Sequence, residues 1–405
     1  MLSRCISVDQ SVFAAEYWGC KPLLSPAGAL PRDFGDLLSP DMVDELIAER
    51  GVRAPFIRLA KEGRLLAKDS YLGPAGFGAE VTDQVDSAKV LEQLASGATV
   101  VLQGLHRLWP PLIDFTRDAV DDIGHPVQVN AYITPPGNRG FDFHYDVHDV
   151  FVLQVSGTKR WMIHEPVHPH PLPSQPWTDH REAITERVRD APAIDAELSD
   201  GDALYVPRGW VHAAQALDTT SIHLTVGVAA TTPLDVARAV LEELSAVEQL
   251  RAPLPLGMNP LDHDDVAATA AKVISQLSTH LRDNAETLAA LATERLISQH
   301  VSRTRPDAVR PLAALRAAAD PTAGPVRWRR GLHATLTQDS DNRVALHLPT
   351  KTIRFPALCL AALTHLAAGH DSDPAALPGL DAADGAVVVR RLLREGVLAP
   401  SSAAS

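Results

Sequence analysis

The sequence predicts an α+β protein whose core is a double-sheet jelly roll, a double-stranded β-helix, with a helical region after it and a small α+β unit at the end. Three observations carry this expectation. From about residue 127 to 230, short β-like runs ("VQVNAYIT", "VFVLQV", "TKRWMIH", "DALYVP", "SIHLTVGVA") alternate with turns bearing Gly and Pro, as in barrels and double-sheet jelly rolls. After Pro233, apolar residues recur at helical spacing. After about residue 304, a Pro-broken junction leads into strand-like "VRWRRGLHATLT", "RVALHLP" and "KTIRFP" and then two helical runs.

Taken in order, residues 8 to 50 read as helical, with Ser39-Pro40-Asp41 capping "DMVDELIAERG". "APFIRLAKEGRLL" reads as two strands around a turn at Glu62-Gly63, and "SAKVLEQLASG" as a short amphipathic helix leading into the buried strand "ATVVLQGL". The β-rich stretch follows, interrupted by a Pro- and His-rich excursion over 165–198. The expected domains are 1–232 (barrel core about 98–230), a helical region 233–303 and a C-terminal unit 304–405 of winged-helix-like type. No fixed-period repeat points to a solenoid.

Composition narrows the function classes. The chain has 405 residues, 21% of them charged, and a net charge of −13. That balance disfavours a protein that coats nucleic acid or an anionic membrane, since both need a positive surface. No apolar run reaches the ~20 residues of a membrane helix, and the first residues show no signal-peptide core. Cys5, Cys20 and Cys359 are too scattered for a disulfide framework or a zinc pattern. A cytoplasmic location is the expectation.

Residues 140–161, "GFDFHYDVHDVFVLQVSGTKRW", concentrate the chemistry. If "FDFHYDV" is a strand, His144 and Asp146 share a face, supplying two of the three ligands of a facial triad for non-haem iron. His-x-Asp alone is common by chance. A third ligand is offered by "GDALYVPRGWVHAA", where Gly201, Pro207, Gly209 and His212 follow the Gly-x5-Pro-x-Gly-x2-His spacing of the second cupin motif, which the stretch resembles. The glutamate usual in the first cupin motif is absent, Phe151 and its neighbours being apolar, which leaves coordination positions open. Lys159 follows the turn at Ser156-Gly157, on a strand expected to run antiparallel to "VFVLQV". An ammonium in such apolar surroundings needs an anion, and a dicarboxylate chelating the metal at its near end would supply one. Asn130 and Tyr132 share a face of the preceding strand and could hydrogen-bond a carboxylate or substrate. His148 would share the face of His144 and Asp146, but only three ligands are needed, so it is expected beside the site. Asp142 and Asp149 are expected to be solvated or bonded to backbone. Arg327, Arg329 and Arg330 around Trp328 read as a solvated strand.

With these motifs in order, "NAYITPPGNRGFDFHYDVHDVFVLQVSGTKRW" and "GDALYVPRGWVHAA" resemble the JmjC-type Fe(II)/2-oxoglutarate-dependent oxygenases of the cupin superfamily, in particular the ribosomal protein hydroxylases. "FAAEYWGCKPLL" also resembles that group's entry motif at Trp18, Lys21, Pro22 and Leu23. The resemblance implies that His144, Asp146 and His212 bind Fe(II) and form the catalytic centre. It implies that Lys159 pairs with the distal carboxylate of 2-oxoglutarate, that Asn130 is near the cosubstrate, and that Tyr132, His223 and Thr225 line the pocket. It further implies O2 as second cosubstrate, release of succinate and CO2, hydroxylation of a ribosomal protein side chain, and a homodimer formed through the helical region. Two other readings keep the same ligands: hydroxylation of a small molecule or natural-product peptide, and a non-catalytic regulator sensing metal and 2-oxoglutarate. The acidic charge disfavours a DNA-binding version of the latter.

Overall fold

The computed structural model describes residues 1–78, 80–254, 256–338 and 341–401. Within it the chain divides into two compact units, Met1–Ala230 and Thr231–Ser405.

In the first unit, α1 (Leu2–Cys5), α2 (Gln10–Val12) and a π-helical turn (Phe13–Tyr17) precede β1 (Leu23–Ser25) and α3 (Pro40–Ala48). Ser39 caps α3 through Met42 N, with Pro40 in its first turn. β2 (Ile57–Lys61) and β3 (Arg64–Leu65) form a hairpin, whose turn places Glu62 and Gly63 in the left-handed region. β4 (Leu72–Gly73) and β5 (Gln84–Val85) pair as a small ribbon. α4 (Ser87–Ala95), β6 (Thr99–Leu102) and α5 (Pro110–Ile123) follow. The jelly roll is completed by β7 (Val127–Thr134), β8 (Asp149–Ser156), β9 (Lys159–His164), α6 (Arg181–Arg187), β10 (Ile194–Leu198), β11 (Ala203–Val206), β12 (Val211–Ala216) and β13 (Ser221–Val228).

The strands form one eight-stranded sheet, ordered β1-β11-β8-β13-β7-β6-β2-β3, and one three-stranded sheet, β10-β9-β12. β8, β11 and β13 are buried almost throughout, as expected of strands covered on both faces. The main core joins the large sheet to the N-terminal helices through Phe13, Phe34, Leu38, Leu112, Phe151 and Tyr205. A second cluster around Val152, Ile163, Leu198 and Leu204 draws on both sheets.

Four expectations need correction. Residues 8 to 50 are not uniformly helical: β1 and irregular chain separate the N-terminal helices from α3. "FDFHYDV" is not a strand; only His144 makes a bridge, to His212. β9 does not pair with β8, since the chain leaves the large sheet at Gly157 and β9 pairs instead with β10 and β12. The excursion after residue 164 returns to the sheet as β10 by residue 194, earlier than its expected end.

The second unit begins with α7 (Pro233–Glu243), closed by a capping box between Thr232 and Asp235. α8 (Glu248–Arg251), α9 (His263–Asp283) and α10 (Ala285–Thr304) follow, with a break at Asn284 dividing the long helical run. α7 and α10 are joined by Arg295, which bonds Glu243 at 2.6 Å. α11 (Pro311–Ala319), β14 (Val326–Trp328), β15 (Thr335–Gln338), β16 (Arg343–Leu348), β17 (Lys351–Pro356), α12 (Leu360–Ala367), α13 (Ala382–Arg394) and β18 (Leu398–Pro400) form a separate core around Trp328, Leu346, Leu363 and Leu392. Residues 339–340 and 402–405 of the expected C-terminal unit lie outside the described residues. Among the described residues no helix is long and apolar enough to cross a membrane.

Candidate functional site

His144, Asp146 and His212 come together with ligand atoms all within 4.8 Å of one another, among the described residues the only such group of three or more. His212 stands on β12, in the small sheet, while His144 and Asp146 lie on the irregular segment before β8. Backbone pairing substitutes for the missing strand. His144 N donates to His212 O (3.1 Å), His212 N donates to His144 O (2.8 Å) and Gly209 N donates to Asp146 O (3.0 Å). The left-handed Gly209 (φ +87°) is required there: a Cβ would stand 2.8 Å from His168 O.

Each imidazole is oriented by its other nitrogen. His144 Nδ1 donates to Asp142 O (2.7 Å) and His212 Nδ1 to Trp210 O (3.0 Å). Both Nε2 lone pairs are thereby left for a ligand, the arrangement found around bound metals. His212 Nε2 is 3.8 Å from Asp146 Oδ2. Burial, then the His144 charge, hold His212 down to about 4, so it is neutral as a ligand must be. For Asp146, burial pushes upward, but His148, His144, His212 and Arg58 outweigh it and hold the carboxyl below its ordinary value. Two imidazoles and one carboxylate on a half-buried site match the donor set of a non-haem Fe(II) facial triad.

The trio lines one wall of a cavity of about 310 Å³ between the two sheets. Lys159, at the start of β9, is 3% exposed and reaches into this cavity. Its Nζ donates to Thr134 Oγ1 (3.0 Å) and lies 3.5 Å from His223 Nδ1. Burial alone brings its pKa down to about 7, and burial, then Lys159, drives His223 well below its ordinary value. The Lys159 amine is thus buried beside a hydroxyl and an imidazole, with no carboxylate among its hydrogen-bond partners.

Tyr132 and Thr225 also line the cavity, with Tyr132 stacked on His223 at 5.0 Å. Asn130 is on the same face of β7 but does not line the cavity; its Oδ1 accepts from Gly104 N (3.0 Å). His148 is not part of the trio but stays within electrostatic reach of Asp146, its ring packed so close to Gly227 that a Cβ there would stand 2.5 Å from Cδ2. Asp142 is exposed and pairs with Arg139 at 3.0 Å. Asp149 is buried and takes the backbone-bonded alternative, its Oδ1 accepting from Arg208 N at 3.4 Å as well as from Tyr205 Oη at 2.8 Å. Sequence reasoning missed Arg58, Phe141, Trp161 and Trp177, all of which line the cavity. For Arg58 there was a signal: a charge inside the apolar run "FIRLA".

Residues 108–236 match the JmjC domain family. The proteins this chain is similar to include ones named as NO66 demethylase and histidyl-hydroxylase and as ribosomal oxygenase. It is 42% identical over 108 residues to the bifunctional lysine-specific demethylase and histidyl-hydroxylase NO66 of Drosophila simulans, covering 25% of this chain and 12% of that protein. It is 28% identical over 216 residues to ribosomal oxygenase 1 of Gallus gallus, covering 53% of this chain and 34% of that protein. The chain thus spans well under two thirds of these relatives. The crystal structure of the Escherichia coli ribosomal oxygenase YcfD aligns with a TM-score of 0.53 at 16% identity, covering 98% of this chain and 99% of that one. YcfD in complex with cobalt and 2-oxoglutarate aligns with a TM-score of 0.51 at 17% identity, covering 97% and 98%. At these identities the structural likeness establishes the fold.

Proposed function

We propose that the protein is an Fe(II)- and 2-oxoglutarate-dependent oxygenase that hydroxylates a side chain of a protein, and that this protein is ribosomal. The observation that carries the reading is Lys159, a buried amine without a carboxylate partner, in the same cavity as the His144, Asp146 and His212 trio. A 2-oxo dicarboxylate is the anion that can meet both ends.

In this reading His144, Asp146 and His212 hold the metal, and Lys159 with Thr134 receives the distal carboxylate. Tyr132 and Thr225 border the cosubstrate, and Asn130 acts at a distance by bracing the Gly104 turn. With iron, 2-oxoglutarate and O2 bound, the chemistry supplied is oxidation of 2-oxoglutarate to succinate and CO2, coupled to insertion of the second oxygen atom into a substrate C–H bond. The chain's own part is to fix the ligands through the Asp142 and Trp210 carbonyls, keep the His212 imidazole neutral and limit water with walls such as Trp161 and Val152.

The ribosomal substrate is supported by the names of the relatives; the homodimer through 233–303 and the winged-helix-like reading of 304–405 after a first domain of 1–232 rest on the sequence patterns and motif resemblance alone. A cytoplasmic location accompanies that substrate. The test is succinate formation by iron-loaded protein with 2-oxoglutarate and a panel of ribosomal proteins, read together with mass spectrometry for an oxygen-atom gain. The expected result is one modified ribosomal protein, unmodified in cells lacking the gene. Succinate formation without modification of any ribosomal protein would overturn the substrate and leave the enzyme class.

A further inference from the structure

The segment that carries two of the three metal ligands has a second face. His144 and Asp146 line the cavity. The residues between and beside them, Phe143, Tyr145 and Val147, belong instead to a small apolar cluster with Ile184 of α6 and Val211 of β12. Val167, Trp177 and Val188 pack against the same cluster, and Tyr145 is 1% exposed within it. Alternate side chains thus serve the metal site on one side and the excursion between β9 and β10 on the other.

That excursion is held in few places. Its two ends are set by the pairing of β9 with β10. Between them, over residues 165–192, one hydrogen bond reaches in from elsewhere in the chain among the described residues: Tyr145 Oη donates to Gln175 O at 3.0 Å. The acceptor belongs to a tight turn closed from both sides, since Gln175 N donates to Leu172 O (2.9 Å) and Leu172 N donates to Gln175 Oε1 (2.9 Å). Two residues on, Trp177 opens a short 3₁₀ turn, Trp177–His180, that leads into α6. Trp177 lines the cavity with its ring 6.1 Å from that of His144, and the Arg181 guanidinium stands 4.3 Å from the Trp177 centroid. Both residues also line the mouth, beside Glu62, Arg64 and Asp142.

The metal-bearing segment is itself no strand, and its backbone is tied to β12 and the turn before it by the His144–His212 pair and the Gly209 bond. A metal shared by His144, Asp146 and His212 would fasten the segment further and remove motion that ordering of the excursion must otherwise oppose. Resting on the metal assignment in the reading above, we infer that Tyr145 is a positioning residue. It passes the order imposed by the metal to the Gln175 turn, so that the Trp177 and Arg181 wall of the mouth is finished only on the metal-loaded chain. Tyr145 is no ligand itself and acts through the turn.

The experiment is amide hydrogen exchange read by mass spectrometry on the full chain, with and without saturating Mn(II), saturation being checked by electron paramagnetic resonance. In the wild type, Mn(II) should slow exchange about fivefold or more both in residues 141–148 and in residues 172–188. Tyr145→Phe keeps the ring in its cluster and removes the hydroxyl. It should retain the slowing at 141–148 and lose most of the slowing at 172–188. Ile184→Ala, which thins the shared cluster from α6, should do the same. A merely structural hydroxyl would speed exchange at 172–188 equally with and without Mn(II), leaving the metal-dependent slowing unchanged, and that result in Tyr145→Phe overturns the inference. So does a wild type in which the slowing is confined to 141–148. Both of those outcomes leave the metal assignment standing, whereas a wild type that binds no Mn(II) overturns the assignment and the inference together.

Discussion

Lys159 and the metal trio make separable demands on the protein, so they can be tested separately. His144→Ala removes one of three donors and leaves the Asp142 carbonyl unpaired by its ring. Affinity for added Mn(II), read by electron paramagnetic resonance, should fall by about 100-fold or more, in line with the importance of complete ligand sets; wild-type affinity in this variant would refute the ligand assignment. Lys159 makes a prediction in pH. Burial brings it down to about 7 in the ligand-free fold, and a bound carboxylate favours its charged form. Binding of 2-oxoglutarate to the metal-loaded protein should therefore take up close to one proton at pH 8 and almost none at pH 6, with affinity falling about tenfold per pH unit above pH 7. Calorimetry in buffers of different ionisation enthalpy measures this uptake; none at pH 8 would rule out Lys159 as the anion seat. The stability of the ligand-free protein follows from the same shift. The folded pKa lies below the unfolded value of 10.5, so between about 7 and 10.5 the unfolded chain binds more protons and stability rises with pH. Lys159→Met should be more stable than wild type by roughly 2–4 kcal/mol at pH 7, with the gap closing towards pH 10.5.

At the scale of elements, the site depends on the chain crossing between sheets. β8 ends in the large sheet and β9 begins in the small one, and Gly157 makes the step at φ +71°. A Cβ there would stand 2.2 Å from Thr220 O. Gly157→Ala should cost about 3 kcal/mol in chemical denaturation and weaken 2-oxoglutarate binding more than Mn(II) binding, because Lys159 lies two residues on while the trio is held by other hydrogen bonds. An equal loss of both would show that the turn supports the whole jelly roll rather than the anion end. This crossing also shows what the sequence could reveal. His144, Asp146 and His212 were legible because spacing and residue type are local properties of two short motifs. Alternation pointed to the pair that the fold brings together with His212, although the segment is no strand; the bridge to His212 and the Gly209 bond do the orienting that a sheet would have done. The pairing partner of β9 was not legible, since a hairpin and a sheet-to-sheet step share the same turn residues. Asn130 looked like a pocket residue from its face of β7, and Gly104, 26 residues away, occupies its carbonyl. Arg58 lies far upstream of the motifs, where only the tertiary fold brings it to the cavity that Asp146 also lines.

For the whole molecule, the open question is what covers the helical region of the second unit. α9 runs for 21 residues, yet none of them is buried, which is unusual for a helix carrying apolar residues at helical spacing. Val266 and Ile274 are 41% and 62% exposed, and with Ala270 between them they form a row at i, i+4 and i+8. On α7, Val236 and Leu241 are exposed as well. A helix of this composition gains little from its own unit and much from a second apolar face. The proposed homodimer supplies one, and a twofold axis would set the same row against itself. Light scattering should then return twice the 43.5 kDa chain mass at micromolar concentration. Ile274→Glu, which places a charge in the centre of the row, should raise the dimer dissociation constant by at least tenfold, corresponding to about 1.4 kcal/mol or more. Because the trio and Lys159 belong to the first unit, metal affinity per chain should be unchanged in that variant. A wild-type protein that stays monomeric at tens of micromolar would overturn the dimer and leave α9 to a different partner.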